Sequence, residues 1–336
     1  MGVRVAVRGF VLHPWRPQTS PRLQRALTSL LDKQLLFVTG KGGVGKTTTA
    51  AALGRVAAGA GRRVLLVEID VSSSIGELYG ARVGFEPTRI EGSLWACALD
   101  AESCMRAFVS RFVPSRRIAD LLLKNRVARI FFESAPSVME AVILDQLATL
   151  AAGTEQRFDA IVVDMPASGH AVKFLRVPRS MARMVGVGDL ADHLRKLADL
   201  LEDPRRCELV VVTLPEEMPV NETIELWGTL QRDLKIPLRH VVVNGLRRPD
   251  VRDEDVSTIE SLIDSVGEGG REAAAGLLDA LAIAKHWRDE DAANVTRLAA
   301  SVPATLLRVP YFFERESERA LVEASALALR AQLGAA

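Results

Sequence analysis

A glycine-rich run with two lysines is the part of the chain best suited to chemistry. Residues 40–48 read Gly-Lys-Gly-Gly-Val-Gly-Lys-Thr-Thr. The run satisfies the phosphate-loop pattern of a glycine, four residues and Gly-Lys-Thr, with the fixed positions Gly40, Gly45, Lys46 and Thr47. Glycines let backbone N–H groups approach phosphate oxygens without a Cβ in the way. Lys46 is therefore expected to reach the β- and γ-phosphates of a nucleotide, and the Thr47 hydroxyl to bind Mg²⁺.

The flanking sequence places this run between a strand and a helix. Residues 35–38 are Leu-Leu-Phe-Val, typical of a buried parallel strand, and residues 48–58 are Ala-rich and free of proline, which favours a helix. A helix N-terminus presents unpaired N–H groups and a positive dipole end to an anion. We therefore predict that this loop binds a nucleoside triphosphate. The residues expected to contact it are Gly40, Lys41, Gly42, Gly43, Val44, Gly45, Lys46, Thr47 and Thr48.

Polar side chains end three of the other apolar runs. Asp70, Asp164 and Asn244 each follow a run rich in Val, Ile or Leu. In a parallel sheet covered by helices, ligands bind at the carboxyl ends of the strands, so these side chains are expected near the phosphate loop. An acid there can hold Mg²⁺ directly or through its water shell, which makes Asp70 and Asp164 candidates beside Thr47. The structural alternative for Asp164 is an acid that caps the next helix.

The alternation of apolar and helical stretches predicts an α/β fold with a doubly wound, mostly parallel sheet. The predicted strands lie at 35–38, 64–70, 160–164, 209–213, 240–244 and 306–309. Residues 1–33 lie outside this pattern and are acid-poor and Arg-bearing. They fit a flexible tail or residues added by an upstream start codon better than an organellar transit peptide. Residues 34–336 are expected to form one domain, with helical segments at about 101–150 and 179–206.

Composition limits the classes of partner. The net charge is +1, so nothing calls for nucleic acid or an anionic membrane surface. Hydrophobic residues at 48% and charged residues at 25% fit a soluble globular chain, and no run has the roughly 18 apolar residues that a membrane span needs. Three scattered cysteines favour the reducing cytoplasm over a disulfide framework.

The second lysine of the loop, Lys41, carries a resemblance to a known group. Gly-Lys-Gly-Gly-Val-Gly-Lys-Thr resembles the deviant phosphate loop of the MinD, ParA, nitrogenase iron protein and ArsA proteins. In that group the early lysine crosses a face-to-face dimer to reach the nucleotide of the partner. The resemblance implies that Lys41 acts in trans and places positive charge where charge develops during phosphoryl transfer. A solvated surface lysine is the alternative that spacing alone allows.

Residues 164–178 make the resemblance specific to the ArsA family, whose members drive arsenical pumps or target tail-anchored membrane proteins. They are similar to the family's Asp-Thr-Ala-Pro-Thr-Gly-His switch, with the proline moved by one place and Lys173 in place of an arginine. Asp70 aligns with the acid of the Asp-Pro-Ala-His switch, which implies that it orients the attacking water. Residues 71–74 depart from that motif, and residues 136–140 resemble the family's Pro-Gly-Ile-Asp-Glu segment.

The resemblance covers most of residues 34–315 and implies an ATPase that uses ATP and Mg²⁺. It implies catalytic roles for Asp70, Lys41 and Lys46. Glu216 stands six residues before Glu222, the spacing at which the family has a nucleotide-contacting glutamate. Asn244 fits an asparagine whose amide can donate to and accept from adenine, and Pro310 is expected to pack against the base.

Partners follow from the single phosphate loop. A transverse dimer needs a second chain, so a homodimer is expected by default and a heterodimer with a paralogue fits equally. Apolar residues of the two helical segments form either core faces or a groove for a hydrophobic client such as a tail-anchored protein. Only Met181 and Met184 lie close together, which argues against a Met-lined groove. The alternative to a hydrophobic client is an anion or metalloid efflux partner in the membrane.

Two further readings concern membranes and metals. The rival function is a ParA/MinD-like partitioning ATPase that acts on DNA or membrane. The near-neutral net charge and the acidic residues of the C-terminal stretch 316–333 argue against it.

The targeting members of the ArsA family hold their dimer with zinc bound by a Cys-x-x-Cys pair. Cys97 and Cys104 are six residues apart and Cys207 is remote, so we predict no zinc site, and buried thiols rather than a metalloid site.

Overall fold

The computed structural model describes residues 20–69, 74–112, 137–153, 157–247, 257–261, 268–312 and 317–332. Within them eight strands form one sheet in the order β3-β4-β2-β5-β1-β6-β7-β8. The strands are β1 (Leu35–Gly40), β2 (Val64–Ile69), β3 (Thr88–Glu91), β4 (Leu94–Leu99), β5 (Ala160–Asp164), β6 (Cys207–Thr213), β7 (Leu238–Leu246) and β8 (Thr305–Pro310). All neighbouring strands are parallel except the β3–β4 pair. The predicted α/β class with a mostly parallel sheet is confirmed.

Helices cover both faces of this sheet. Those in the described part are α1 (Pro21–Leu31), α2 (Lys46–Gly59), α3 (Ser74–Tyr79), α4 (Ala101–Phe112), α5 (Val138–Ala152), α6 (Ser168–Val185), α7 (Asp189–Glu202), α8 (Glu217–Asp233), α9 (Glu268–Ser301) and α10 (Glu318–Ala331). One hydrophobic cluster joins the sheet to α4–α9, and a second joins its other face to α1, α2, α3 and α10. Every residue of β1, β2, β5 and β6 is buried, as a doubly covered sheet requires. No described helix combines the length and the apolar character needed to cross a bilayer.

The strands β3 and β4 were not among the predicted elements. β4 lies beside β2 in parallel register, with Val64 opposite Leu94, and β3 returns antiparallel to it as the edge strand. The predicted strands at 35–38, 64–70 and 160–164 correspond to β1, β2 and β5, apart from Asp70, which lies outside the described residues. β1 and β2 are consecutive in the chain but are not neighbours in the sheet, because β5 lies between them.

Helix α1 falls inside the stretch that the sequence placed outside the domain. The Ser20 hydroxyl accepts a hydrogen bond from the Leu23 N–H (3.2 Å), and Pro21 occupies the first turn, where its missing N–H is harmless. Leu27 and Leu30 are fully buried in the same cluster as α2 and the sheet. The folded part therefore begins before residue 34. The organisation of residues 1–19 stays a prediction, since they lie outside the described residues.

This packing gives a testable expectation for Leu30. Replacing Leu30 by Ala removes a buried side chain and leaves a cavity, so the free energy of unfolding should fall by about 2–5 kcal/mol. The exposed neighbour Thr28 provides the control, because Thr28→Ala should change it by less than about 0.5 kcal/mol. Chemical denaturation measures both. Equal stability of the Leu30→Ala protein and the parent would show that α1 is not part of the core.

Candidate nucleotide-binding site

The glycine-rich run forms a loop between the end of β1 and the start of α2. β1 lies between β5 and β6, so the loop leaves the middle of the sheet. A Cβ on Gly40 would lie 2.3 Å from the Val212 carbonyl oxygen of β6. Gly45 precedes α2 with a φ of +87°, and a Cβ there would lie 2.3 Å from Asn244 Nδ2. Glycine is therefore required at both positions, by close approach at Gly40 and also by backbone conformation at Gly45.

The loop and the first turn of α2 offer donors suited to phosphate. The first N–H groups of a helix have no intrahelical partner, which applies to Lys46, Thr47 and Thr48 at the start of α2. The first backbone bond inside the helix runs from the Thr49 N–H to the Gly45 carbonyl (2.9 Å). Lys46 Nζ donates to the Lys41 carbonyl oxygen (3.0 Å), which keeps its ammonium at the loop. This is an anion site of the type that helix N-termini form.

Thr47 and Asp164 meet at the side of the loop. The Thr47 hydroxyl donates to Asp164 Oδ2 at 2.5 Å, and Asp164 stands opposite Val38 in the β1–β5 register. Burial raises the pKa of Asp164 to about 6, although the Thr47 hydrogen bond and the charge of Lys46 act in the opposite direction. Asp164 Oδ1 is buried and has no hydrogen-bond partner among the described residues. A hydroxyl and a carboxylate with a spare oxygen fit Mg²⁺, which prefers oxygen ligands and retains several waters.

Glu68 belongs to the same site and was not singled out from the sequence. It is buried on β2 directly beside Asp164 in the β2–β5 register, and its negative charge contributes to the raised pKa of Asp164. Its carboxylate accepts hydrogen bonds from the N–H groups of Ser74 (3.0 Å) and Ile75 (3.4 Å) at the start of α3. A signal was present, because alternate residues of a strand share a face and Glu68 is two residues before Asp70.

Three residues that the resemblance assigned to the nucleotide lie near the carboxyl ends of neighbouring strands. Asn244 Nδ2 donates to the Val44 carbonyl oxygen (3.0 Å), so the amide braces the phosphate loop. Pro310 is buried opposite Leu246 at the end of β8. Glu216 is exposed immediately before α8. All three lie at the end of the sheet where the phosphate loop leaves β1, called the nucleotide edge below. Their contacts with a nucleotide stay predictions.

Lys41 is paired within its own chain. Its ammonium forms an ion pair with the Glu222 carboxylate on α8, and the two side chains are 45% and 37% exposed. Lys41 is thus a paired surface lysine in the single chain. Its action on a second copy stays a prediction.

The two switch segments are described to different extents. Asp70 and residues 71–73 lie outside the described residues, as does Pro136 of the segment 136–140. After Asp164 only residues 165–167 form the loop, since α6 already begins at Ser168 and includes Gly169 in its first turn. The Met165 N–H donates to the Val38 carbonyl oxygen (3.0 Å), which ties this loop to β1.

The three cysteines occupy separate elements. Cys97 lies on β4, Cys104 on α4 and Cys207 on β6, and all are free and buried. Burial raises the pKa of the Cys97 and Cys104 thiols, which keeps them protonated at neutral pH. The described part of the chain holds no group of three or more His, Cys, Asp or Glu side chains placed to bind a metal. A zinc site shared between two chains is a different arrangement, and its absence stays a prediction.

The raised pKa of Asp164 makes metal binding depend on pH. Only the ionised carboxylate is a good Mg²⁺ ligand, so the Mg²⁺-dependent part of nucleotide affinity should weaken about fourfold on lowering the pH to 5.5, given a pKa of about 6. Calorimetric titration with and without Mg²⁺ measures it. Asp164→Asn is the comparison, because it retains only the titration of the nucleotide itself. A difference between the two proteins that stays constant from pH 7.5 to 5.5 would contradict the assignment.

Comparison with known proteins finds ATPases similar to this chain. The model of the ArsA-type anion-transporting ATPase family matches residues 33–190. The ATPase BagA of Mycobacterium tuberculosis is 29% identical over 223 residues, which are 63% of this chain and 64% of that protein. The arsenical pump-driving ATPase of Escherichia coli is 27% identical over 230 residues, 63% of this chain and 39% of that protein. The ATPase ASNA1 homolog 1 of Paramecium tetraurelia is 23% identical over 268 residues, 68% of this chain and 80% of that protein.

The matched region covers the phosphate-loop part of the site. The match with BagA spans 64% of the length of that relative, so it covers somewhat less than two thirds of it. Residues 33–190 contain the phosphate loop, Glu68 and Asp164. On this match, residues 33–190 are similar to the ArsA-type anion-transporting ATPase family, and the three relatives are all named ATPases.

Proposed function

We propose that this chain binds ATP with Mg²⁺, hydrolyses it as a nucleotide-gated dimer, and couples the cycle to a hydrophobic client segment. The observation that carries the ATPase part is the contact between the Thr47 hydroxyl and the buried Asp164 carboxylate beside a phosphate loop. The free buried thiols suit a reducing compartment, so we place the activity in the cytoplasm.

Each residue near the loop has a separate role in this proposal. Thr47 would hold Mg²⁺ through its hydroxyl, and Asp70 and Asp164 would hold it through its water shell. The metal would supply positive charge that neutralises the phosphates. Lys46 leaves the Lys41 carbonyl for the β- and γ-phosphates. Asp70 orients the attacking water, and Lys41 of a second copy supplies positive charge to the transferred group. The second copy is the same chain or a paralogue.

The nucleotide assignment is tested by two variants of the site. Lys46→Ala should lose turnover and bind ATP far more weakly, because the phosphates lose their main cation. Asp70→Asn should keep ATP bound and lose turnover, because an asparagine oxygen still accepts a hydrogen bond from a metal-bound water, whereas the attacking water loses the carboxylate that orients it. Nucleotide binding and phosphate release measure the two effects. Lys235→Ala removes an exposed lysine as the control and should leave both unchanged. Turnover in the Lys46→Ala protein at the rate of the control would refute the ATPase proposal.

The surface proposed for the client is the α6–α7 tip, residues 184–190. It holds four exposed apolar residues, of which Met184 and Val187 are 84% and 86% exposed. An exposed apolar patch of this kind is typical of a surface that binds another molecule. By contrast, the apolar stripe of α5, which the sequence left open as core or groove, is core: Val142, Ile143, Leu144 and Leu147 are buried. The predicted apolar residues at 121–132 lie outside the described residues.

The α6–α7 tip is tested by replacing two of its side chains together. In the Met184→Ser/Val187→Ser protein, affinity for a fluorescent apolar helical peptide of about 20 residues should fall at least about tenfold, because two large side chains no longer become buried on binding. Fluorescence anisotropy measures it in the presence of Mg²⁺ and a non-cleavable ATP analogue. Leu327→Ser removes an exposed leucine on the opposite face of the sheet and should have no effect. Unchanged peptide affinity in the double variant would exclude the tip as the client site.

A further inference from the structure

We propose that Glu222 is a positioning residue that holds Lys41 within its own chain until a second copy docks. This inference rests on the proposed function, because it concerns how Lys41 becomes available to the nucleotide of the partner. In the single chain the Lys41 ammonium lies against the Glu222 carboxylate rather than over the phosphate loop.

In the single chain, both lysines of the loop bond to other groups of the protein. Lys46 Nζ donates to the main-chain carbonyl of Lys41, while Lys41 Nζ reaches α8 and pairs with Glu222. The main-chain contact of Lys46 carries no net charge, so a triphosphate displaces it readily. The contact of Lys41 is with a full negative charge, so a phosphate must compete with a carboxylate for this lysine. Glu222 therefore competes for Lys41 with the nucleotide of its own chain.

The exposure of the pair allows it to open. About two fifths of each side chain reaches solvent, and ion pairs at such positions are weak and sensitive to salt. A partner that brings a second triphosphate to Lys41 can therefore take it from Glu222. A fully buried pair would not exchange in this way, because separating buried charges is far more costly.

The surroundings of the pair favour a second copy as the trigger. Met218 is exposed one helical turn before Glu222, and Val220 and Thr223 on the opposite side of α8 are buried. The outward face of α8 is therefore exposed next to the phosphate loop, and it carries the apolar side chain of Met218 beside the ion pair. Docking of a second copy against the nucleotide edge would cover this face and separate Lys41 from Glu222.

Removing the charge of Glu222 tests the inference. With Mg²⁺ and a non-cleavable ATP analogue, the dissociation constant of the dimer should be about two- to fivefold lower for Glu222→Gln than for the parent, since an exposed ion pair no longer has to open. Analytical ultracentrifugation of the full chain over a concentration series measures it. Glu225→Gln is the matched control, because it removes an exposed charge from the next turn of α8 and should leave the constant unchanged.

A second comparison separates the pair from a general effect of charge. In a Lys41→Met background there is no pair to open, so adding Glu222→Gln should shift the constant less than it does when Lys41 is present. An equal shift in both backgrounds, an equal shift from Glu225→Gln, or weaker dimerisation of the Glu222→Gln protein would overturn the inference. Dimerisation of the parent without any shift in Glu222→Gln would overturn the inference alone. Absence of analogue-driven association in the parent would overturn the proposed dimer and this inference with it.

Discussion

The hydrogen bond between the Thr47 hydroxyl and the Asp164 carboxylate depends on the whole arrangement of the sheet. Thr47 is placed by the loop that leaves β1, and Asp164 by the end of β5. The two meet because β5 lies directly beside β1, although 119 residues of chain separate the strands in sequence. A slip of β5 by one residue would turn Asp164 to the other face of the sheet, away from α2. The site is therefore a consequence of strand register.

Two buried carboxylates next to each other are unfavourable unless something compensates them. Glu68 and Asp164 are neighbours on β2 and β5, and both are nearly inaccessible to solvent. The Glu68 carboxylate accepts hydrogen bonds from two N–H groups at the start of α3, which offset part of the cost of burying it. Within the described ranges, the Asp164 carboxylate accepts from one side-chain donor, Thr47, and its Oδ1 has no partner. The negative potential left at this oxygen is what a bound cation would neutralise, which gives the fit to Mg²⁺ a physical reason.

The parts of the molecule that could be predicted are those set by local spacing. The phosphate loop is contiguous, so Gly40, Gly45, Lys46 and Thr47 identified it without a fold, and apolar runs located six strands. Helix α1 was not predicted, although Ser20 and Pro21 at its start are typical of a helix N-terminus. The many arginines and few acids of residues 1–33 favoured a flexible tail instead. The strand β4 needed its partner β2 to be recognised, and the role of Glu68 needed the β2–β5 register. The Lys41–Glu222 pair joins residues 181 positions apart, and no local pattern contains it.

The chain connects the nucleotide edge to the α6–α7 tip by a short mechanical path. Helix α6 begins four residues after Asp164, at Ser168, and its 18 residues end beside Met184 and Val187. A helix of this length spans about 27 Å and transmits a displacement of its first turn to its last. Pro178 interrupts the hydrogen bonding of α6 part of the way along, which permits a bend there without unfolding. Movement of residues 165–167 on phosphate release would therefore reach the apolar tip through one continuous element.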